Sequence, residues 1–66
     1  MRLDLKVKRI SKNLTQEQMA SLINLSTSSY SFLEQGRSDG TYKVWCKIQQ
    51  TLNIPDEEMW KVINHK

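Results

Sequence analysis

Residues 15 to 36, TQEQMASLINLSTSSYSFLEQG, read as two short helices joined by a tight turn. Thr15 and Gln18 have the spacing of a capping box: the Thr hydroxyl accepts from an orphan backbone N–H, and the Gln side chain reaches back to the cap residue. A helix should therefore begin at Gln16. Met19, Leu22 and Ile23 fall at i, i+3 and i+4 and form an apolar stripe with Ala20 beside it, whereas Gln16, Glu17, Gln18 and Ser21 are polar. Asn24 is suited to end this helix, because after Gly it best tolerates the left-handed conformation, and Asn24-Leu25 reads as the turn. Ser26 can cap a second helix from Thr27 to Gln35, with Leu25, Tyr30 and Leu33 facing inward and Gly36 as the stop. Thr27, Ser28, Ser31, Phe32 and Gln35 are left on its outer face.

The run Leu14-Thr15-Gln16-Glu17-Gln18-Met19-Ala20, then Leu25-Ser26, then Tyr30-Ser31-Phe32-Leu33-Glu34-Gln35-Gly36-Arg37 resembles the helix-turn-helix domain of the Cro and phage-repressor type. Family-like spacing extends from Leu5 to about Trp60. Two departures stand out: Asn24 replaces the usual turn Gly, and Tyr30 replaces a β-branched aliphatic, so its ring needs room and its hydroxyl a partner. The resemblance implies that the second helix enters the DNA major groove. It places Thr27, Ser28, Ser31 and Phe32 toward the bases. Phe32 suits a thymine methyl, while the hydroxyls are versatile but weakly discriminating. It also implies a phosphate contact and a bracing role for Gln16, backbone clamps at Arg37, Ser38, Thr41 and Lys43, and a structural ion pair between Arg9 and Glu34. Without the resemblance, Gln16, Arg9, Glu34 and the clamp residues read as solvated polar groups, and Phe32 as a surface-edge aromatic or a self-association contact.

A chain of 66 residues makes one domain, 1–66, and a domain this small buries only about 60% of its unfolded surface, so oligomerisation is a natural supplement to its stability. One cysteine cannot form an internal disulfide. Cys46 is expected to be a small buried hydrophobe, and His65, next to the last residue, to be mobile. No His/Cys cluster has metal-ligand spacing, no Gly-rich phosphate loop is present, and no nucleophile–base arrangement is visible. Neither a cofactor, a metal nor an enzyme activity is expected. No apolar run approaches the roughly 18 residues of a membrane span, and the start of the chain lacks the apolar core of a signal peptide. A cytoplasmic protein is the expectation.

Toward the N-terminus, Leu3, Val7, Ile10 and then Leu14 follow helical spacing, which favours a first helix ending near Asn13 with that stripe inward. The family comparison instead turns Leu5 and Arg9 inward, and pattern alone leaves both rotations open. Ser38-Asp39-Gly40 is turn chemistry, and Thr41 can cap a helix through Leu52 with Val44, Trp45, Ile48 and Leu52 on one side. Pro55 and the acids Asp56, Glu57 and Glu58 suit the first turn of a last helix whose apolar side is Met59, Trp60 and Ile63. Nothing alternates at period two. The expected fold is all-α, a compact five-helix domain of the lambda-repressor-like helix-turn-helix kind.

The formal net charge is +3. Arg2, Lys6, Lys8, Arg9 and Lys12 crowd the first helix and Arg37, Lys43 and Lys47 follow the third, which itself carries no cation. Most binding energy for DNA must then come from flanking phosphate contacts, aided by the N–H groups opening the helices at Gln16 and Thr27. The leading expectation is a sequence-specific double-stranded DNA-binding transcription regulator. Its small size resembles a minimal Cro-like repressor of a phage or mobile element, acting as a homodimer that occupies an inverted-repeat operator. An alternative is a protein-interaction module, such as an antitoxin or repressor modulator, that uses Trp45, Met59, Trp60 and Ile63 to bind a regulatory protein partner. A nonspecific nucleic-acid binder is disfavoured by the modest charge.

Overall fold

The computed structural model describes residues 1–64. Five helices follow one another: α1 (Leu3–Ser11), α2 (Gln16–Leu22), α3 (Thr27–Gln35), α4 (Tyr42–Leu52) and α5 (Asp56–Asn64); no strand occurs among the described residues. The expectation for His65 lies outside the described residues.

The helix ends are built by local chemistry. At α2 the Thr15 hydroxyl accepts from the Gln18 N–H at 3.1 Å, and the Gln18 side-chain oxygen accepts from the Thr15 N–H at 2.9 Å, completing the capping box. Ser26 accepts from the Ser29 N–H at 3.1 Å, and Thr41 accepts from the Val44 N–H at 3.3 Å. Asn13, Asn24 and Asn53 each follow a helix at positive φ, the conformation in which Asn is the least strained residue after Gly. Gly36 ends α3 at φ 80°, which lets the Arg37 N–H turn back to the Phe32 carbonyl at 2.9 Å.

The core is Leu5, Met19, Ala20, Ile23, Tyr30, Leu33, Trp45, Ile48, Leu52, Ile54 and Val62, with Leu14, Leu25, Val44, Met59 and Ile63 packed against it. α1 has Leu5 and Arg9 inward, while Leu3, Val7 and Ile10 are 58%, 51% and 52% exposed. The 3-7-10 stripe is thus an outer stripe. The rotation follows the arginines, since a buried guanidinium is tolerated only where acceptors meet it, and both Arg2 and Arg9 find theirs on the inner side.

Three further expectations are corrected. Leu22 is exposed, and Ala20 joins Met19 and Ile23 on the inner side, because seven residues of α2 offer only a narrow buried face to α3. On α5 the inward group is Met59, Val62 and Ile63, at i, i+3 and i+4, so the neighbouring Trp60 falls outside that stripe and is exposed. Cys46 is half-buried rather than buried, beside Tyr42 one turn before it on α4.

Arg2 is fully buried although it precedes the first helix. Its Nη1 donates to the carbonyls of Leu33 and Ser38, each at 2.7 Å, and its Nε to the Ile63 carbonyl at 2.8 Å. The guanidinium also lies 5.0 Å from the centre of the Trp45 ring, an attractive cation–π distance. Burial pulls its pKa below the ordinary value, partly offset by Asp39. One side chain therefore joins the end of α3, the loop after it, α4 and α5.

Candidate nucleic-acid interface

Two faces of α3 differ sharply. Its inner face carries Tyr30, Leu33 and Glu34, all buried. Its outer face carries Thr27 and Ser28, both exposed, Ser31, half-buried, and Phe32, 44% exposed. Gln35 is exposed and its amide donates to the Ser31 hydroxyl at 2.9 Å, so these two side chains hold one another on the surface. Thr27, Ser28, Ser31 and Phe32 occupy one side of a helix without a cation, and they offer hydroxyl donors and acceptors beside one aromatic ring.

The inner face holds this surface in place. Arg9 donates from Nε to Glu34 Oε2 at 2.8 Å and from Nη2 to Oε1 at 3.2 Å, with its Nη1 donating to the Leu14 carbonyl at 2.6 Å. Glu34 is 1% exposed. The hydrogen bond to Glu34, foremost, raises the Arg9 pKa, so the guanidinium is firmly charged. Gln16, at the start of α2, donates from its amide to Glu34 Oε1 at 3.4 Å. Glu34 thus receives one element on each side, α1 through Arg9 and α2 through Gln16. The Tyr30 hydroxyl is buried and meets no hydrogen-bond geometry, but burial and then the adjacent Glu34 push its pKa well up, and it stays a neutral phenol.

The loop from Gly36 to Thr41 carries Arg37 and Ser38 away from the C-terminal end of α3 and leads to Lys43 in the first turn of α4. Arg37, Thr41 and Lys43 are exposed; Ser38 is half-buried, with its carbonyl taken by Arg2. Gly40 shapes this loop at φ 73°, and a Cβ there would stand 2.9 Å from Leu33 Cδ2 and 2.9 Å from Trp45 Nε1. Trp45 in turn donates from Nε1 to the Asp39 carbonyl at 2.8 Å, which anchors the turn to α4.

Cation placement differs from the reading of the sequence. Arg2 and Arg9 are interior scaffold, and Lys8 pairs with Glu58 at 2.9 Å, so α1 presents mainly Lys6 and Lys12 to solvent or a partner. Arg37, Lys43 and Lys47, around α3 and α4, are exposed. Sequence reasoning passed over Tyr42, which is 85% exposed between Thr41 and Lys43; an aromatic in the first turn of a helix, flanked by two expected clamp residues, was the available signal. It also missed Gly40 as a packing position, for which the sequence offers only turn composition.

Among the described residues, no group of three or more His, Cys, Asp and Glu is placed to hold a metal ion. No described helix is long and apolar enough to cross a membrane. A family model described as helix-turn-helix matches residues 5–59, from the buried Leu5 to the start of α5. No curated protein and no solved structure matches the chain.

Proposed function

The chain belongs to the helix-turn-helix family, as a DNA-binding regulator of the Cro and phage-repressor type, and from that premise we propose that it represses transcription by occupying a specific operator. In this reading α3 lies in the major groove, where Thr27, Ser28 and Ser31 hydrogen-bond base edges and Phe32 covers a thymine methyl. Gln16, Arg37, Ser38, Thr41 and Lys43 fix the register on the phosphates. A homodimer reads two half-sites of an inverted repeat, about 34 Å apart on one face of the duplex.

One observation carries the reading: an exposed polar face on α3, with Phe32 within it, stands opposite an inner face locked by Arg9, Glu34 and Gln16. A reading surface needs that rigidity, because base discrimination depends on donors held in fixed register. The test is selection of bound fragments from random duplex DNA, followed by methylation interference at guanine N7 on the selected sites. The proposal expects a two-fold symmetric motif with interference in the major groove of each half-site. Recovery of no common motif would overturn it.

A further inference from the structure

An α-helix leaves its last four carbonyls without partners inside the helix, and α3, which has no basic residue in its last turn, brings no cation of its own to meet them. Arg2 supplies one. Its backbone N–H donates to the Glu34 carbonyl at 2.7 Å, and its guanidinium Nη1 donates to the Leu33 carbonyl at 2.7 Å. The positive charge thus sits at the negative end of the α3 dipole, and it is fully buried, where salt screens it least. This is a C-terminal cap delivered to α3 by a residue 31 positions before Leu33.

The same Nη1 also holds the Ser38 carbonyl at 2.7 Å. One nitrogen atom therefore bridges the end of the proposed reading helix and the loop that carries the proposed clamps Arg37 and Ser38. The N–H groups of Arg37 and Ser38 both turn back to the Phe32 carbonyl, at 2.9 and 3.3 Å, and set where the loop leaves the helix. Its onward course is set by Arg2 and by Trp45, whose ring lies 5.0 Å from the guanidinium and whose Nε1 donates to the Asp39 carbonyl at 2.8 Å. With these carbonyls taken inward, the Arg37 side chain is left exposed. The spacing between the outer face of α3 and Arg37 is fixed by a side chain that is itself withdrawn from the surface.

We propose that Arg2 is a positioning residue for DNA binding: it caps α3 and locks the Arg37-Ser38 segment in register with it, so that Arg37 meets a phosphate while α3 lies in the groove. This rests on the operator reading above and adds to it a residue behind the interface. In the sequence Arg2 stands among the cations of α1, where attraction to phosphate would be its expected use, but at 0% exposure it touches no DNA. Its contribution is order. A loop free to move loses conformational entropy each time it engages a phosphate, which weakens the contact, whereas a loop already held in place does not.

A double-substitution cycle on the full chain tests this, with affinities for one selected and one random duplex measured where circular dichroism shows each variant folded. Arg37→Ala should weaken binding to both duplexes about tenfold, and Arg2→Met, which keeps an unbranched side chain but removes every side-chain donor, should do about the same. The two losses should overlap, with Arg37→Ala costing less than about threefold in the Arg2→Met background. Arg2→Met should also flatten the plot of log affinity against log salt by about 0.9, as though an exposed cation had been removed. Arg2→Lys separates positioning from stability, because one ammonium can meet the Leu33 and Ser38 carbonyls but not Ile63 as well: it should restore affinity while its unfolding midpoint stays below the parent's. Val62→Ala, a cavity under α5, is a destabilised control that should keep the parent's affinity and the full Arg37 effect. Amide hydrogen exchange on the parent needs no variant, and the N–H groups of Arg37 and Ser38 should exchange as slowly as those inside α3. Exchange at unprotected rates, additive losses in the cycle, or an equal loss of affinity in Val62→Ala would overturn the role of Arg2 and leave the operator reading standing. An Arg37→Ala variant that binds like the parent would overturn the clamp and the role of Arg2 with it. A parent that does not prefer the selected duplex would overturn both the operator reading and this one.

Discussion

Arg9 on α1 grips Glu34 on α3 through two hydrogen bonds of 2.8 and 3.2 Å, with both side chains withdrawn from solvent. Because Gln16 donates to the same carboxylate, this pair is where α1, α2 and α3 are tied together, directly behind the proposed reading face. A charge in such a place is tolerable only while it is matched, so the pair is worth more as a constraint on geometry than as a source of net stability.

Glu34→Ala should therefore destabilise the fold by about 3 to 5 kcal/mol, since it leaves the Arg9 guanidinium buried without its partner. Urea unfolding measures the loss. In the fraction that remains folded, base preference should change less than stability does, because Glu34 supports the reading face from the core side without facing the bases. A change of less than about 0.5 kcal/mol would mean that solvent replaces the partner and that the pair is not structural.

Gly40→Ala should destabilise by about 2 kcal/mol, because a side chain at φ 73° is strained and its Cβ meets Leu33 and Trp45 at 2.9 Å. Thermal unfolding tests this. Since Leu33 is on α3 and Trp45 on α4, the same substitution should also disturb the loop that carries Arg37 and Ser38, lowering DNA affinity beyond the loss of folded protein.

Caps and turns were legible in the sequence because their chemistry is local. Thr15 with Gln18, Ser26, Asn24, Gly36 and Thr41 each act on residues within a few positions, and α3 spans the residues that these signals bracket. The outer face of α3 was readable for the same reason, from helical period alone. The rotation of α1 was not, because Leu3, Val7 and Ile10 carry the spacing of a core stripe. What turns them outward is the reach of Arg9 to Glu34 and of Arg2 to Leu33, Ser38 and Ile63, partners far along the chain. Trp60 misled in the same way: hydrophobicity marks a residue as apolar, whereas packing of α5 decides that Val62 is buried. The bracing of Glu34 by Gln16 likewise depends on how α2 and α3 cross, although the family resemblance pointed to it.

Lys43→Ala and Arg37→Ala should weaken binding to all sequences alike if these exposed cations neutralise phosphates. In a plot of log affinity against log salt, each loss should flatten the slope by about 0.9. An unchanged slope would remove that residue from the interface.

Phe32→Ala should leave stability within about 1 kcal/mol of the parent, because a ring already 44% exposed does not carry the roughly 3 to 5 kcal/mol of a core aromatic. Its effect should fall on base choice, with preference relaxed at one base-pair position in each half-site. Affinities for a panel of single-base substitutions check this. A parental base-preference profile in a folded variant would take Phe32 off the reading face.

The most direct measurement is a competition titration at fixed salt, in which a selected duplex and a random duplex of equal length compete for the wild-type protein. Sequence reading by α3 predicts that the selected duplex is preferred by about a thousandfold or more. Equal competition by the two duplexes would contradict it, whatever the absolute affinity, and would leave only phosphate attraction.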